Sequence, residues 1–334
     1  MNNKENNLNR LYLSITNKCN LACKHCFRSA GKELRNELTT EEIKKILDSA
    51  TESVVSKQVS ITGGEPFARD DIFEILRYTH EKDLSVDIST NAILLDKEKI
   101  ELLEELDNIF YMQISVDGIT KESYEYIRGN NTFEKLIKSL KLIKKSKFLQ
   151  QIDLMMIYLA TPKNYKEIEN LPEFAEKYGF DKIALGEILP FGNGEKNFKD
   201  LDTSKYMKEI YSNFNKAKNK KSVPIIDQFH LGFLYNNNGT PSPCTAREGK
   251  ILAIEPHGDI LACPYATDLT FGNIRDYNYN VYEAYKKTKE LTKDIFEMKN
   301  KKIDCEWYEK CRGGCPLLNK RFKTECDPRC HIRK

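Results

Sequence analysis

"LYLSITNKCNLACKHC", residues 11–26, sets a strand-like run directly before three cysteines, Cys19, Cys23 and Cys26. Three thiols so close together are more than a disulfide uses and fewer than the four ligands of a structural zinc site. Iron–sulfur cubes are held by cysteine thiolates, usually four of them. Three thiolates would leave one iron without a protein ligand, and an open coordination position is what a metal site needs to do chemistry. Zinc bound by three cysteines and His25 is the competing reading of the same residues.

Outward from this loop, strand and helix patterns alternate. After "LYLSIT" (11–16) come a helix over 39–50, a strand over 58–62 and a helix over 70–82. A strand over 84–90, a helix over 96–106, a strand over 109–117 and a helix over 131–146 follow. A strand over 152–160, a helix over 164–179 and a strand over 182–190 close the series. Thr39 or Thr40 caps the first helix, with Glu42 placed for a capping box. Strict alternation predicts an α/β fold with a parallel sheet and outer helices. Six units are too few for a closed eight-fold barrel, so a partial, TIM-like (β/α)6 barrel is expected. Active sites in such sheets form at the carboxyl ends of the strands. The cysteine loop lies at that end, as do residues 63–66, 89–91 and 115–118.

Beyond residue 190 the pattern changes. "PFGNGEKNFKD" (190–200) reads as a loop leaving the domain, and a helix is expected over 203–219. "KILAIEPHGDILACP" (250–264) reads as a β-hairpin with its turn at Pro256–Asp259. The remainder is rich in cysteine and poor in periodic apolar residues, so it needs metal to fold. The organisation expected is a partial-barrel domain over 1–200, a helical linker over 201–238 and a small cysteine-rich Fe–S domain over 239–334.

Composition narrows the function. The 334 residues carry 53 basic and 50 acidic side chains, interspersed, for a net charge of +3, which gives no support to nucleic-acid binding. "KSLKLIKKSKF" has helically spaced apolar residues and reads as an ordinary amphipathic helix. No apolar run reaches the length of a membrane span, and "MNNKENNLNR" lacks a signal-peptide core, so a cytoplasmic protein is expected. Reducing cytosol disfavours disulfides, which leaves metal binding or catalysis for the ten cysteines. Three sit at the start; the other seven, Cys244, Cys263, Cys305, Cys311, Cys315, Cys326 and Cys330, crowd the last quarter. Two metal-binding regions follow from that segregation.

The N-terminal region resembles the radical S-adenosylmethionine superfamily. Cys19, Cys23 and Cys26 match its C-x3-C-x2-C signature, with His25 as the aromatic before the third cysteine. "ITGGEPF" supplies its second signature, Gly63-Gly64-Glu65-Pro66, after the second strand. The resemblance covers 11 to about 190 and implies a [4Fe–4S] cluster whose open iron chelates S-adenosylmethionine. Gly63 and Gly64 permit close backbone approach, Glu65 with nearby backbone groups holds the methionine ammonium, and Pro66 stiffens the turn. It further implies Ser89 and Asn91 in "STNA" and Ser115 in "ISVDG" near the cofactor, and Arg128 in "IRG" on the methionine carboxylate. The implied chemistry is one-electron cleavage of the sulfonium to methionine and a 5′-deoxyadenosyl radical, which abstracts a substrate hydrogen. A flavodoxin- or ferredoxin-type reductant is implied as partner.

The tail looks like a SPASM domain, a module that carries auxiliary Fe–S clusters. Cys244, Gly258 and Cys263 reproduce its opening spacing, and "CEWYEKCRGGC" (305–315) and "DPRC" (327–330) its close. Lys302 stands where the pattern has a cysteine, and Cys326 is an extra one that can substitute. The implied division gives Cys244, Cys263 and Cys315 to one auxiliary cluster, and Cys305, Cys311, Cys330 and Cys326 to a second. "FHLGF" (229–233) and "AREGKILAIEPHGDILACPYA" (246–266) are similar to maturases of ribosomally made peptides, including those of mycofactocin and pyrroloquinoline quinone. That likeness implies a precursor-peptide substrate and a crosslinked or oxidatively decarboxylated product. A separate leader-recognition protein is also expected, because ten residues precede the first strand. Tetrapyrrole-modifying haem-precursor decarboxylases share such a tail and are the runner-up. Sulfatase-maturing enzymes carry an aspartate after the second tail cysteine, where this chain has Pro264. A non-catalytic iron–sulfur carrier is the alternative outside enzymes; it has no use for an open iron beside "GGEP".

Overall fold

The computed structural model describes residues 7–220, 222–229, 244–296 and 304–330. Lys302 and most of "FHLGF" lie outside these residues. Ten strands form one open sheet in the order β10-β9-β8-β1-β2-β3-β4-β5-β6-β7. The strands are β1 (Arg10–Ser14), β2 (Gln58–Thr62), β3 (Ser85–Thr90), β4 (Ile109–Ser115), β5 (Asp153–Leu159), β6 (Lys182–Gly186), β7 (Ile225–Asp227), β8 (Ile251–Ile254), β9 (Asp259–Leu261) and β10 (Thr270–Asn273). All pairings from β8 through β1 to β7 are parallel, and β8-β9-β10 close with antiparallel pairs.

Side-chain alternation decides which face is which. Leu11 and Leu13 of β1, Val59 and Ile61 of β2, Val86 and Ile88 of β3, and Met112 and Ile114 of β4 share one buried layer with the helices. The other face is polar: Tyr12 is in register with Ser60, Ser60 with Asp87, and Asp87 with Tyr111. Ser60 donates to the fully buried Asp87 at 2.6 Å, and Arg10 lies 3.7 Å from the same carboxylate.

The helices explain themselves by spacing. α1 (Thr40–Ser53) buries Ile43, Ile46, Leu47 and Ala50, and Thr39 with Glu42 forms the expected capping box. α2 (Ile72–Glu81), α3 (Lys97–Glu104) and α5 (Phe133–Lys145) follow the expected pattern with shorter ends. Between β4 and α5 lies a helix that the sequence pattern does not reveal, α4 (Lys121–Arg128), capped by Thr120. The helix expected over 164–179 is a 3-10 stretch, Tyr165–Asn170, followed by α6 (Leu171–Tyr178). Pro172 supplies no N–H, so it suits the first turn of α6 and not the interior of a longer helix.

Two further expectations change. Residues 190–200 are not merely an exit loop: they form α7 (Gly192–Lys196) and α8 (Phe198–Leu201). The expected hairpin is present as β8 and β9, turning at Gly258 with φ 93°, but it does not stand apart. β8 pairs with β1, Arg10 with Ile251 through Leu13 with Ile254, so the hairpin extends the main sheet. α9 (Met207–Asn219) and α10 (Val281–Phe296) pack on the outside, and the tail contributes α11 (Tyr308–Cys311) and α12 (Pro316–Phe322).

Candidate active site at the strand ends

The cysteine loop leaves the end of β1 and is fixed by backbone pairing at both sides. The Cys19 amide donates to Gly31 O at 2.8 Å, and the Gly31 amide to Asn17 O at 2.9 Å. The glycine pair after β2 is pressed onto the same loop. The Gly64 amide donates to Thr16 O (2.7 Å) and the Glu65 amide to Lys18 O (2.9 Å). A Cβ on Gly63 would lie 2.5 Å from Thr16 O, and one on Gly64 would lie 2.5 Å from Lys18 O. Only glycine fits at either position.

Glu65 is fully buried, and its carboxylate accepts from Thr90 Oγ1 (2.7 Å) and the Asn91 (2.7 Å) and Phe67 (3.2 Å) amides. In this structure it staples β2 to β3. Burial pushes its acid pKa up, and these donors oppose the rise. Pro66 opens a 3-10 turn, Pro66–Ala68. Ser89 and Ser115 are half-buried at the ends of β3 and β4 on the polar face. Asn91 is buried and donates to Asn20 Oδ1 in the cysteine loop at 2.9 Å.

The thiols sit in a shell of donors. Leu21 N–H faces Cys19 Sγ at 3.5 Å, Ala30 N–H faces Cys26 Sγ at 3.4 Å, and Arg128 Nη1 faces Cys23 Sγ at 3.7 Å. Burial pushes the Cys19 thiol up to about 12, and the neighbouring Glu65, Cys23 and Cys26 add to the rise. N–H groups aimed at sulfur are a lever by which proteins tune iron–sulfur clusters. His25 spends Nε2 on Asp117 at 2.8 Å, so that nitrogen does not complete a zinc site. Among the described residues no group of three or more His, Cys, Asp or Glu side chains closes round a single metal ion. Three thiols with N–H donors aimed at their sulfurs are a donor set that fits a thiolate-ligated cluster.

The residues that lock this loop from the far side were not legible in the sequence. Lys24 N–H donates to Ile127 O of α4 at 2.9 Å. On α7, Asn193 N–H donates to Cys26 O at 2.8 Å and Asn193 Nδ2 to Cys23 O at 3.3 Å. Asn197 Nδ2 donates to Lys24 O at 3.0 Å. Gly192 makes the approach feasible: its φ is 55°, and a Cβ there would lie 2.4 Å from Phe27 O. The signal was present as "GNGEKN", but its target is far away in sequence.

The tail is bolted to the same place. Arg28 of the cysteine loop pairs with Glu255 and donates to Pro264 O at 3.4 Å, beside Cys263. Phe27 meets Tyr265 edge-on at 5.2 Å between ring centres. Arg329 joins Glu187 (2.7 Å) to Asp327 (2.7 Å), and Asp327 accepts the Cys315 amide at 2.9 Å. Burial pushes Cys263 up to about 12, and the nearby Cys315 and Cys244 push it further. Burial likewise raises Cys311, and Cys305, Cys330 and Cys326 add to the rise.

Comparison with known proteins agrees with this geometry. Residues 13–175 match the family described as the Radical SAM superfamily. The mycofactocin maturase MftC of Mycolicibacterium smegmatis is 29% identical over 90% of this chain and 76% of its own length. The AdoMet-dependent heme synthase of Methanosarcina barkeri is 26% identical over 90% of this chain and 88% of its own. Crystal structures of Streptococcus suis SuiB share the fold. The form bound to S-adenosylmethionine has a TM-score of 0.75 at 20% identity, covering 97% of this chain and 78% of SuiB. The form bound to precursor peptide SuiA has a TM-score of 0.76 at 19% identity, covering 98% and 76%.

Proposed function

This chain belongs, through residues 13–175, to the Radical SAM superfamily and is a radical SAM enzyme, and we propose that it modifies a ribosomally made precursor peptide. The observation that carries the proposal is the likeness to a mycofactocin maturase over 90% of the chain. S-adenosylmethionine on a reduced cluster supplies a 5′-deoxyadenosyl radical in this family. Everything else is the work of the chain's own residues.

Cys19, Cys23 and Cys26 would ligate the cluster, inside the donor shell of Leu21, Ala30 and Arg128. Gly63, Gly64 and Pro66 would set the cofactor's methionine end against that loop, and Ser89, Asn91 and Ser115 would line its ribose and base along the strand ends. Glu65 would act through Asn91, whose amide it holds. Arg128 has two N–H bonds left beyond Asp117 and Cys23, enough to meet a carboxylate. The sheet would curve as a partial barrel, its polar face enclosing the reaction and excluding water.

Residues 244–330 would form the auxiliary-cluster module. Cys244, Cys263 and Cys315 would serve one cluster and Cys305, Cys311, Cys326 and Cys330 the other, a division supported by the thiols that raise Cys263 and Cys311. The second then has four cysteines without one at position 302. A cluster beside the substrate can take the electron that an oxidative step leaves over. A separate leader-binding protein and a flavodoxin- or ferredoxin-type reductant complete the system, in the reducing cytoplasm.

The test is anaerobic incubation of the reconstituted, reduced enzyme with S-adenosylmethionine and short peptides encoded near its gene. A mass loss of two hydrogens, or of formic acid, from a peptide supports the proposal. The likeness to a heme synthase favours one second reading. Decarboxylation of an iron tetrapyrrole, with every peptide unchanged, would replace the peptide by a haem precursor.

A further inference from the structure

Asp117, just past the end of β4, belongs to neither family signature, yet it is the hub of the site. It is fully buried. Its Oδ2 accepts from Arg128 Nε (2.7 Å), Arg128 Nη2 (2.5 Å) and His25 Nε2 (2.8 Å). Its Oδ1 accepts from the Leu159 amide (3.0 Å), and its carbonyl from Asn164 Nδ2 (2.9 Å). The carboxylate is thus anchored to β5 and to the turn that follows it, and its Oδ2 alone takes the fork of Nε and Nη2 of the guanidinium. The fork leaves Arg128 Nη1 facing Cys23 Sγ at 3.7 Å, with the arginine side chain 10% exposed. Burial opposes ionisation of Asp117, but Arg128 and His25 outweigh it and hold the acid below the usual carboxylate range.

We infer that Arg128, clamped by Asp117, is a buried cation that sets the reduction potential of the cluster ligated by Cys19, Cys23 and Cys26, favouring its reduced form. This rests on the proposed function above. When an external one-electron donor passes its electron to the cluster, the site gains one negative charge, and no bond forms or breaks. The guanidinium is already in place to meet that charge, so no proton has to follow. A full charge about 4 Å away at an effective dielectric of about 20 outweighs a tenfold change in an equilibrium constant. Asp117 offsets part of it. The net effect expected on removing Arg128 is about tenfold in the reduced-to-oxidised ratio, about 59 mV for a one-electron couple. Asp117 is a positioning residue here and touches no reacting atom.

The experiment is an EPR-monitored redox titration of the reconstituted full-length protein with dithionite. Spectra of a Cys19→Ala/Cys23→Ala/Cys26→Ala variant are subtracted to isolate this cluster. R128Q is expected to shift the midpoint downward, R128K to stay near wild type, and D117N to shift it upward by removing the offsetting charge. Opposite signs for R128Q and D117N, at unchanged iron content, support the inference; a purely structural role would lower iron content and leave the potential alone. Equal midpoints, or a downward shift in D117N, overturn it. Should R128Q lose the cluster, the sign of the D117N shift decides. A wild-type protein that never assembles the cluster would instead overturn the proposed function.

Discussion

Gly64→Ala tests the packing of the site with a single methyl group. The added Cβ would lie 2.5 Å from Lys18 O and 2.6 Å from Asn17 O, whereas ordinary contact begins at 3.4 Å. The backbone must therefore yield by about 0.9 Å, and both obstacles are carbonyls of the cysteine loop, with no flexible side chain to swing away. Moving Lys18 O breaks the bond from the Glu65 amide (2.9 Å) and drags Cys19, the next residue. Overpacking of this kind costs about 1–3 kcal/mol. A buried amide left without a partner adds about 1–3 kcal/mol. Misplacing a reactive centre by about 1 Å costs about a hundredfold in rate. The expected outcome is a sharp loss of iron and at least a tenfold drop in 5′-deoxyadenosine formation, read by iron analysis and chromatography. Gly31→Ala is the control: it lies in the same loop, its φ is not positive, and its Cβ meets nothing within 4 Å. G64A with wild-type iron and wild-type cofactor cleavage would refute the close-approach argument, as would G31A failing equally.

Other outcomes follow from the contacts that hold the tail. Cys326→Ala is expected to lower iron per chain, since Cys326 is among the thiols that raise Cys311 and is the proposed fourth ligand beside it, with a mass-spectrometric iron count as the check. Arg329→Gln leaves Glu187 and Asp327 facing each other across a lost cation; breaking a buried pair costs about 3–5 kcal/mol. That loss should appear as earlier proteolysis of the tail and a lower unfolding temperature. Glu42 is held by hydrogen bonds from Arg275, Thr39 and Tyr279, which carry its pKa down to about 2. A depressed carboxylate contributes stability above its unfolded pKa of about 4.3, and that contribution fades as pH falls toward the folded value. Glu42→Gln should therefore flatten the urea-stability profile of the apoprotein between pH 5 and pH 2 while lowering it at pH 7.

Much of this was legible because the signals are local. Alternating apolar residues named β1 to β6, and the 39–42 capping box named the start of α1. The cysteine loop and "GGEP" were readable as spacings, and the structure brings Gly64 onto Lys18. What escaped is what depends on distant partners. Alternation in 250–264 announces a hairpin but cannot say that β8 adds to β1. "GNGEKN" looks like a loop until Asn193 and Asn197 are seen gripping the carbonyls of residues 23, 24 and 26. α4 is short, with Tyr124 and Ile127 as its two large buried apolar residues, so it gives little periodic signal. In the sequence Asp117 is one candidate acid or base with Glu187 and Asp227, no better than a structural carboxylate, and its neighbours His25 and Arg128 are what single it out.

The decisive measurement is cofactor turnover by anaerobically reconstituted protein under dithionite, with 5′-deoxyadenosine and methionine quantified together. Formation of both in equal amounts, abolished by Cys19→Ala, Cys23→Ala or Cys26→Ala alone, is the expected result. A protein that holds its full iron and leaves S-adenosylmethionine intact, or cleaves it equally well without those cysteines, would contradict the assignment of this loop as the radical-generating centre.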